Sequence, residues 1–315
     1  LVTPHKNSKI PLIKIDHITM SEPVITLQSG EDLSEKKFSL PYSKGSEIKA
    51  GAIHISTEGV KLGALNIKAQ KAQITGTEKD LIVDDGIDLN LSKINISTTG
   101  DSMAWNAILT KLNIKNTGQF IFDIKKNKLY LRDISIKDCR ISSNSIKNIS
   151  QLLGSGQTAV ISTSAAKYAT GKSLLQFEKV SFDAGLHVLN MGSVTSNPSI
   201  SRDSMISSNP YQIDYLNFNS GSTTLYGFDL LTYFNENSLA IQKASFNDPT
   251  ITIYRDKFPP FLEGVRKGLL TEKISSISFP VSINQININD GKVSYTEKNE
   301  KNRLEGTLLL TNLNG

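Results

Sequence analysis

The sequence predicts a mostly β protein: an elongated, curved antiparallel sheet built of repeated bulged strands, with one or two short helices. Three observations carry this. One apolar spacing recurs along the 315 residues, and such internal repeats decide architecture before any single segment does. The recurring positions are rich in β-branched residues and follow no heptad, which favours strands. The apolar content is also modest. Counted with glycine and without tyrosine it is roughly 42%, against about 45–50% for ordinary globular domains. A sheet with one wet face needs fewer apolar residues than a compact core.

The first copy is Ile13, Ile15, Ile18, Met20, Pro23, Ile25 and Leu27. Val60, Leu62, Leu65, Ile67, Ala72 and Ile74 form the next. Leu129, Leu131, Ile134, Ile136, Cys139 and Ile141 follow. Weaker copies run from Leu175 through Phe177, Val180, Phe182 and Gly185 to Leu189, and from Tyr211 through Ile213, Leu216, Phe218 and Gly221 to Leu225. The last two are the clearest. They are Leu239, Ile241, Ala244, Phe246, Pro249, Ile251 and Ile253, then Val281, Ile283, Ile286, Ile288, Gly291, Val293 and Tyr295.

Steps of two keep side chains on one face, whereas a step of three flips the face of a regular strand. A bulge absorbs the extra residue and returns the apolar set to its side. The first three-residue step, at Gln242-Lys243 or Asn284-Gln285, reads as such a bulge. The second reads as a corner, because Asn247-Asp248-Pro249 and Asn289-Asp290-Gly291 carry turn chemistry. Proline and glycine alternate at one place in that corner. Proline excludes positive φ, so a shared corner near about −65° is expected rather than a type I′ hairpin.

Two stretches break the pattern. Residues 144–171 and 258–273 are expected as helical or loop insertions; 144–156 has apolar residues at helical spacing, and Pro259-Pro260 opens the second. No composition shift marks a boundary, so residues 1–315 read as one continuous elongated domain.

No convincing catalytic constellation is present. Ala166 to Ser173 fits the looser phosphate-loop pattern, but such a loop needs a helix after it, and Leu175, Phe177 and Val180 read as a strand. It is read as a polar loop. The four histidines are scattered, and Cys139 is the only cysteine, which excludes a disulfide framework and a cysteine-built metal site. Asp84-Asp85-Gly86 lacks the further ligands of a calcium loop and reads as a hairpin turn. No catalytic residue, cofactor or metal is expected. The +5 formal charge comes from scattered lysines, a weak argument for any anionic partner. No apolar run reaches the length needed to cross a bilayer as a helix.

The segments FNDPTITIYRDK (246–257), Phe258-Pro259-Pro260, FPVSINQININDGKVSYTE (279–297) and LEGTLLLTNL (304–313) together resemble the AsmA-like family of bacterial envelope proteins. Ile13 to Leu27 is similar to the start of the strand array in such proteins. These belong with the repeating β-groove, or bridge-like, lipid-transfer proteins. The resemblance is firm over 239–313 and rests on strand spacing and turn residues, with no catalytic motif. It implies a long curved sheet with an apolar trough and a non-enzymatic role in phospholipid transport or outer-envelope maintenance. It also implies a periplasmic location with an inner-membrane anchor. The family's anchor helix is missing from the sequence, so a fragment of a longer chain with further β repeats is expected. Implied partners are phospholipid or another acyl lipid, not nucleic acid, with lysines on the rim meeting headgroups. The trough lining would comprise Ile13, Ile15, Ile18, Leu129, Leu131, Ile134, Ile136, Leu239, Ile241, Phe246, Ile251, Ile253, Val281, Ile283, Ile286, Ile288, Val293 and Tyr295.

Two other readings compete. A structural or adhesive β-repeat scaffold would use the same apolar positions to pack a closed core. Closed solenoids keep a near-constant period, whereas copies here start 28 residues apart (Tyr211 to Leu239) or 46 apart (Leu129 to Leu175). An enzyme acting on envelope glycans would favour paired carboxylates and aromatic platforms, yet aromatics are 7% and Trp105 is the sole tryptophan.

Overall fold

The computed structural model describes residues 13–23, 25–28, 37–40, 44–56, 59–75, 81–83, 85–99, 102–124, 127–142, 158–170, 173–229, 232, 236, 238–262, 264 and 281–315. Strands dominate. They form one large, open, mainly antiparallel sheet that is not closed into a barrel, together with a second sheet of four strands and one short described helix. The chain divides into two compact units, Leu1–Phe120 with Arg132–Ser162, and Ile121–Leu131 with Thr163–Gly315.

Unit 1 contains β1 (Ile13–Ser21), β2 (Ile25–Gln28), β3 (Lys37–Leu40), β4 (Glu47–Ser56), β5 (Gly59–Ala69), β6 (Ala72–Thr75), β7 (Leu81–Val83) and β8 (Gly86–Thr99). It also holds most of β9 (Ser102–Ile124) and the second half of β10 (Asn127–Ser142). The long strands pair antiparallel in the order β1, β4, β5, β8, β9. The short ones pair as β2, β3, β6, β7. The two orders correspond: β1 leads into β2, β3 into β4, β5 into β6 and β7 into β8. The small sheet is therefore the continuation of the long strands past a shared corner. Asp85-Gly86 lies in that corner and joins β7 to β8 of the other sheet, so the expected hairpin turn is not formed there.

The first three-residue step is a kink shared by neighbouring strands. The ladders skip Asp16 opposite Ala52, Ala52 opposite Gly63, and Gly63 opposite Lys93. Ala52 and Lys93 sit in the left-handed region at φ 52 and 49. One extra residue in each strand at the same level keeps the ladder in register on both sides of the kink.

Unit 2 contains β11 from Thr163 (the strand is Val160–Ala169), β12 (Ser173–Asp183), β13 (Val188–Met191), β14 (Ser193–Pro198) and helix α1 (Arg202–Ser207). β15 (Asp214–Ser220), β16 (Thr223–Tyr226), β17 (Leu239–Asn247), β18 (Thr250–Asp256), β19 (Val281–Asn289), β20 (Gly291–Lys298) and β21 (Glu305–Leu313) complete it. α1 is a single turn or two, capped by Ser201, whose side chain accepts from the Ser204 N–H. The strands make two limbs. One runs β12, β14, β15, β18, β20, β21 and the other β12, β13, β16, β17, β19.

The two clearest sequence copies stack on each other. Leu239, Ile241, Ala244 and Phe246 lie opposite Val281, Ile283, Ile286 and Ile288, and Ile251 and Ile253 lie opposite Val293 and Tyr295. Both ladders are parallel, against the antiparallel pairing of their neighbours. Chains that repeat the same kink and corner after a connecting segment meet in register when they run the same way.

The corner keeps positive φ away from the Pro/Gly place, as expected. Gly291 and Gly221 do not have positive φ, as the alternation with proline requires. At four of the copies the preceding residue does: Glu22, Asp138, Asp248 and Asp290 have φ between 49 and 54, whereas Ser220 before Gly221 does not. Aspartate tolerates this region better than most residues. Backbone and asparagine bonds then tie the corners together. Asp248 N–H donates to the Asn289 carbonyl at 2.9 Å. Asn289 Nδ2 donates to Asn247 Oδ1 at 2.8 Å, and Asn247 Nδ2 to Ser222 Oγ at 2.7 Å.

Two further expectations are corrected. Within 144–171, Val160–Ala169 is a strand rather than helix or loop, while 143–157 lies outside the described residues. The copy at 175–189 does not turn a corner at Gly185. Residues 184–187 form a tight turn that reverses the chain, so β12 and β13 pair antiparallel, with Asp183 Oδ1 accepting the Leu186 N–H at 2.9 Å. Phe258 to Leu262 is loop.

Candidate functional site

The kink leaves unit 1 with one apolar and one polar face. Ile13 lies opposite Ile55, then Val60, Ile96 and Trp105. Ile15, Ile53, Leu62 and Ile94 form the next row, and beyond the kink Ile18, Ala50, Leu65, Leu91 and Leu109 form another. Met20, Ile48, Ile67, Leu89 and Leu112 complete the set. Ile48, Ile53, Ile94 and Leu109 are buried, Leu62, Leu65 and Ile67 on β5 are half-buried, and Ile13 and Ile18 on β1 are 46% and 41% exposed. The intervening rows are polar: Lys14–His54–Lys61–Asn95–Asn106, Thr19–Lys49–Asn66–Asn90–Lys111 and Ser21–Glu47–Lys68–Asp88–Asn113.

On β10, Ser135 Oγ donates to Asn113 Oδ1 at 2.7 Å, which puts Ser135 on the polar face and its neighbours Ile134 and Ile136, both half-buried, on the other. Leu129 and Leu131 belong to unit 2 and are half-buried.

In unit 2 the limbs bend so that apolar side chains meet inside the corner. Phe218 of β15 and Phe246 of β17 make an edge-to-face contact at 6.1 Å. The rows Phe182–Leu189–Leu225–Ala244–Ile286 and Met191–Thr223–Phe246–Ile288 cross one limb. Phe218–Ile251–Val293–Leu310 and Leu216–Ile253–Tyr295–Leu308 cross the other. Ala244 and Ile241 are 0% and 5% exposed, whereas Ile283 and Ile286 on β19 are 39% and 50% exposed. Leu239, Phe246, Ile251, Ile253, Val281, Ile288, Val293 and Tyr295 are half-buried. Buried Thr223 and Ser220 are satisfied at the corner: Thr223 Oγ1 bonds Ser220 Oγ, which donates to the Asn247 carbonyl.

The apolar rows of the limb that holds β15, β18 and β20 end in a row of charge, Asp214–Arg255–Glu297. Arg255 makes two bonds to Asp214, at 2.6 and 2.9 Å, and these hold its guanidinium in the charged form. Its guanidinium also lies over the Tyr295 ring. Tyr295 donates to Glu297 Oε2 at 2.8 Å, and Lys257 Nζ sits 2.5 Å from Glu297 Oε1. Those donors push the Glu297 carboxyl below its usual range. Burial, then the bond to Glu297, raises the Tyr295 phenol.

The features that mimic catalytic motifs are accounted for locally. Ala166–Ala169 ends β11, the Thr170 N–H donates to the Ser173 carbonyl at 2.9 Å, and Ser173 opens β12. Strand β11 is followed by strand β12, without the helix a phosphate loop requires; residues 171–172 lie outside the described ones. His17 and His54 are exposed on strands and His187 sits in the 184–187 turn. Cys139 is buried, and burial raises its thiol. Among the described residues no three His, Cys, Asp or Glu side chains are grouped to hold a metal, and no helix is long and apolar enough to cross a membrane.

The apolar rows of β8 and β9 were not among the residues expected from sequence. Their signal is present in the alternation of Ile87, Leu89 and Leu91 and in the three-residue step from Leu109 to Leu112, which starts later in the strand than in the other copies. No protein-family model, curated protein or solved structure matches this chain.

Proposed function

We propose that this chain is a non-enzymatic lipid-binding module whose one-sided sheet holds acyl chains, acting in phospholipid transport or upkeep of a bacterial outer envelope. One observation carries the reading. Four consecutive apolar rows cross β1, β4, β5 and β8 of unit 1 on one face while polar rows occupy the other, and the central side chains on β5 stay half-accessible. Burying a methylene yields about 0.8 kcal/mol, so a sixteen-carbon chain laid along such rows gains on the order of 12 kcal/mol before ordering costs. Repeated Ile, Leu and Val offer similar energies at successive positions, which suits sliding better than one specific pocket. The periplasmic setting, and an inner-membrane anchor as partner, follow from the family resemblance and belong to the same proposal.

A second reading has its own support. The parallel, in-register stacking of β17 on β19 and β18 on β20 is the pairing a closed structural repeat would use, and Ala244 is already sealed.

Native mass spectrometry with organic extraction separates the two. Bound phospholipid, lost when exposed Ile283 and Ile286 are replaced together by aspartate with the fold retained, supports the lipid module. A lipid-free chain that also refuses added fluorescent phospholipid leaves the structural scaffold.

A further inference from the structure

The polar face of unit 1 carries a cationic row that its own ladder does not neutralise. Lys14, His54 and Lys61 stand directly opposite one another on β1, β4 and β5, all exposed. The two lysines flank His54, and no carboxylate stands in the row with them. Neither lysine has an ion pair among the described residues, and the nearest carboxylate along β1, Asp16, lies at the kink without one either. Elsewhere on this face carboxylates accompany the lysines: Lys49 meets Glu47 at 2.8 Å, Lys111 meets Asp88 at 2.6 Å, and Lys68 stands between Glu47 and Asp88 in its row.

The row continues into a site. Asn95 Nδ2 donates to Asn106 Oδ1 at 3.0 Å and to the Lys93 carbonyl at 3.2 Å. Beside this pair an open pocket of about 410 Å³ is lined by Lys93, Arg140 and Ser142 over the apolar floor of Ile108 and Ile141. Lys93, left-handed at the kink, is among the lining residues. With neighbouring strands about 4.8 Å apart, the row from Lys14 to Asn106 spans roughly 19 Å.

We propose that this row docks on an anionic phospholipid bilayer surface, with the pocket at its end receiving a headgroup phosphate. Charge complementarity argues for it: Lys14 and Lys61 share a row that holds no carboxylate, on the face opposite the apolar rows, and Lys93 and Arg140 line the pocket at its end. A single-stranded nucleic acid would need stacking platforms, and the tryptophan of unit 1, Trp105, stands on the apolar face instead, opposite Ile96. The inference stands apart from the acyl-chain reading, which concerns the other face.

Co-sedimentation of the full chain with vesicles tests it, comparing pure phosphatidylcholine with a mixture one-third phosphatidylglycerol, at low and physiological salt. Binding to the anionic vesicles alone, weakened by salt, is expected. Each neutralised lysine should cost about fivefold, so Lys14→Gln with Lys61→Gln costs roughly 25-fold. Lys14→Arg with Lys61→Arg should retain binding, and Lys49→Gln, already paired, should change it little. Lys93→Gln at its exposed kink gives an independent fivefold loss should the double variant fail to fold. Equal binding to neutral vesicles, insensitivity to these variants, full competition by millimolar inorganic phosphate, or tighter binding to duplex DNA than to vesicles would each overturn the proposal. Acyl lipid extracted from the purified chain should be unchanged by the lysine variants, which separates failure of this inference from failure of the other.

Discussion

At the kink of unit 1 the tightest approach is between Ala52 and Gly63. A methyl on Gly63 would lie 2.9 Å from the Ala52 Cβ and 3.6 Å from the Gly51 carbonyl oxygen. Gly63→Ala therefore overpacks the kink, a fault worth about 1–3 kcal/mol, less the ~0.4–1 kcal/mol that alanine removes from the unfolded chain's freedom. A net loss of about 1–2 kcal/mol follows. Ala52 pays for its left-handed φ of 52. Ala52→Gly relieves about 1–2 kcal/mol of that and gives back roughly 0.5–1 in backbone entropy, a small net gain. In the double variant the Ala52 methyl is absent, so the new methyl on residue 63 has room. It should be more stable than the parent by about 1 kcal/mol, where the sum of the singles forecasts a loss.

The assay is urea unfolding followed by the fluorescence of Trp105, the only tryptophan, which reports unit 1 from its row on β9. With slopes of about 1–3 kcal/mol/M, a coupling of 1–2 kcal/mol moves the midpoint by a readable fraction of a molar. Additivity within about 0.5 kcal/mol would refute the contact. Destabilisation by Ala52→Gly would refute the left-handed kink itself.

The other expectations concern the corners, the charge row and the thiol. Asp290→Val should cost about 2 kcal/mol, since a β-branched residue resists the left-handed region, while Asp290→Gly should fall within about 0.5 of the parent; thermal melts by circular dichroism read both. Glu297 is held below its unfolded value, so its contribution is present above that value and fades as pH falls through the folded one. Replacing Lys257 by methionine should flatten the acid limb of stability against pH. Cys139 is 3% exposed with a raised thiol, so an aromatic disulfide reagent should label it slowly in native buffer and at once in urea; fast native labelling would contradict its burial.

Much of this architecture is legible in the sequence because a step of two and a step of three have different geometric consequences. Aligning Val281–Tyr295 with Leu239–Ile253 by spacing alone gives the residue pairs of two ladders. The place of the corner is legible, and so is the exclusion of positive φ at its Pro/Gly position. What the alternation leaves hidden is that the residue before 249 or 291 is left-handed, and nothing in Lys93 or Glu22 advertises a positive φ. Strand direction was also hidden, since spacing reads the same for parallel and antiparallel neighbours. Val160–Ala169 was obscured by small residues, whose strand form comes from neighbours rather than propensity. The cationic row was beyond reach for another reason. Lys14, His54 and Lys61 meet only once the registers of β1, β4 and β5 are known.

The two steps also do different work, which explains why both recur. The kink at the first step keeps apolar residues on one face across a strand longer than a regular ladder would align without it. At the second step the strand turns into another limb while that face stays inside, as the Phe218–Phe246 contact shows. Neither works in one strand alone. Ala52 can kink only because Asp16, Gly63 and Lys93 leave the ladder at the same level, and the Asp248 corner is bonded to its counterpart at Asn289. Repetition is thus required by the geometry: each copy must place its extra residue where its neighbour does, while the connections between copies are free to vary. That is the pattern the chain shows, with constant spacing inside the clearest copies and unequal intervals between them.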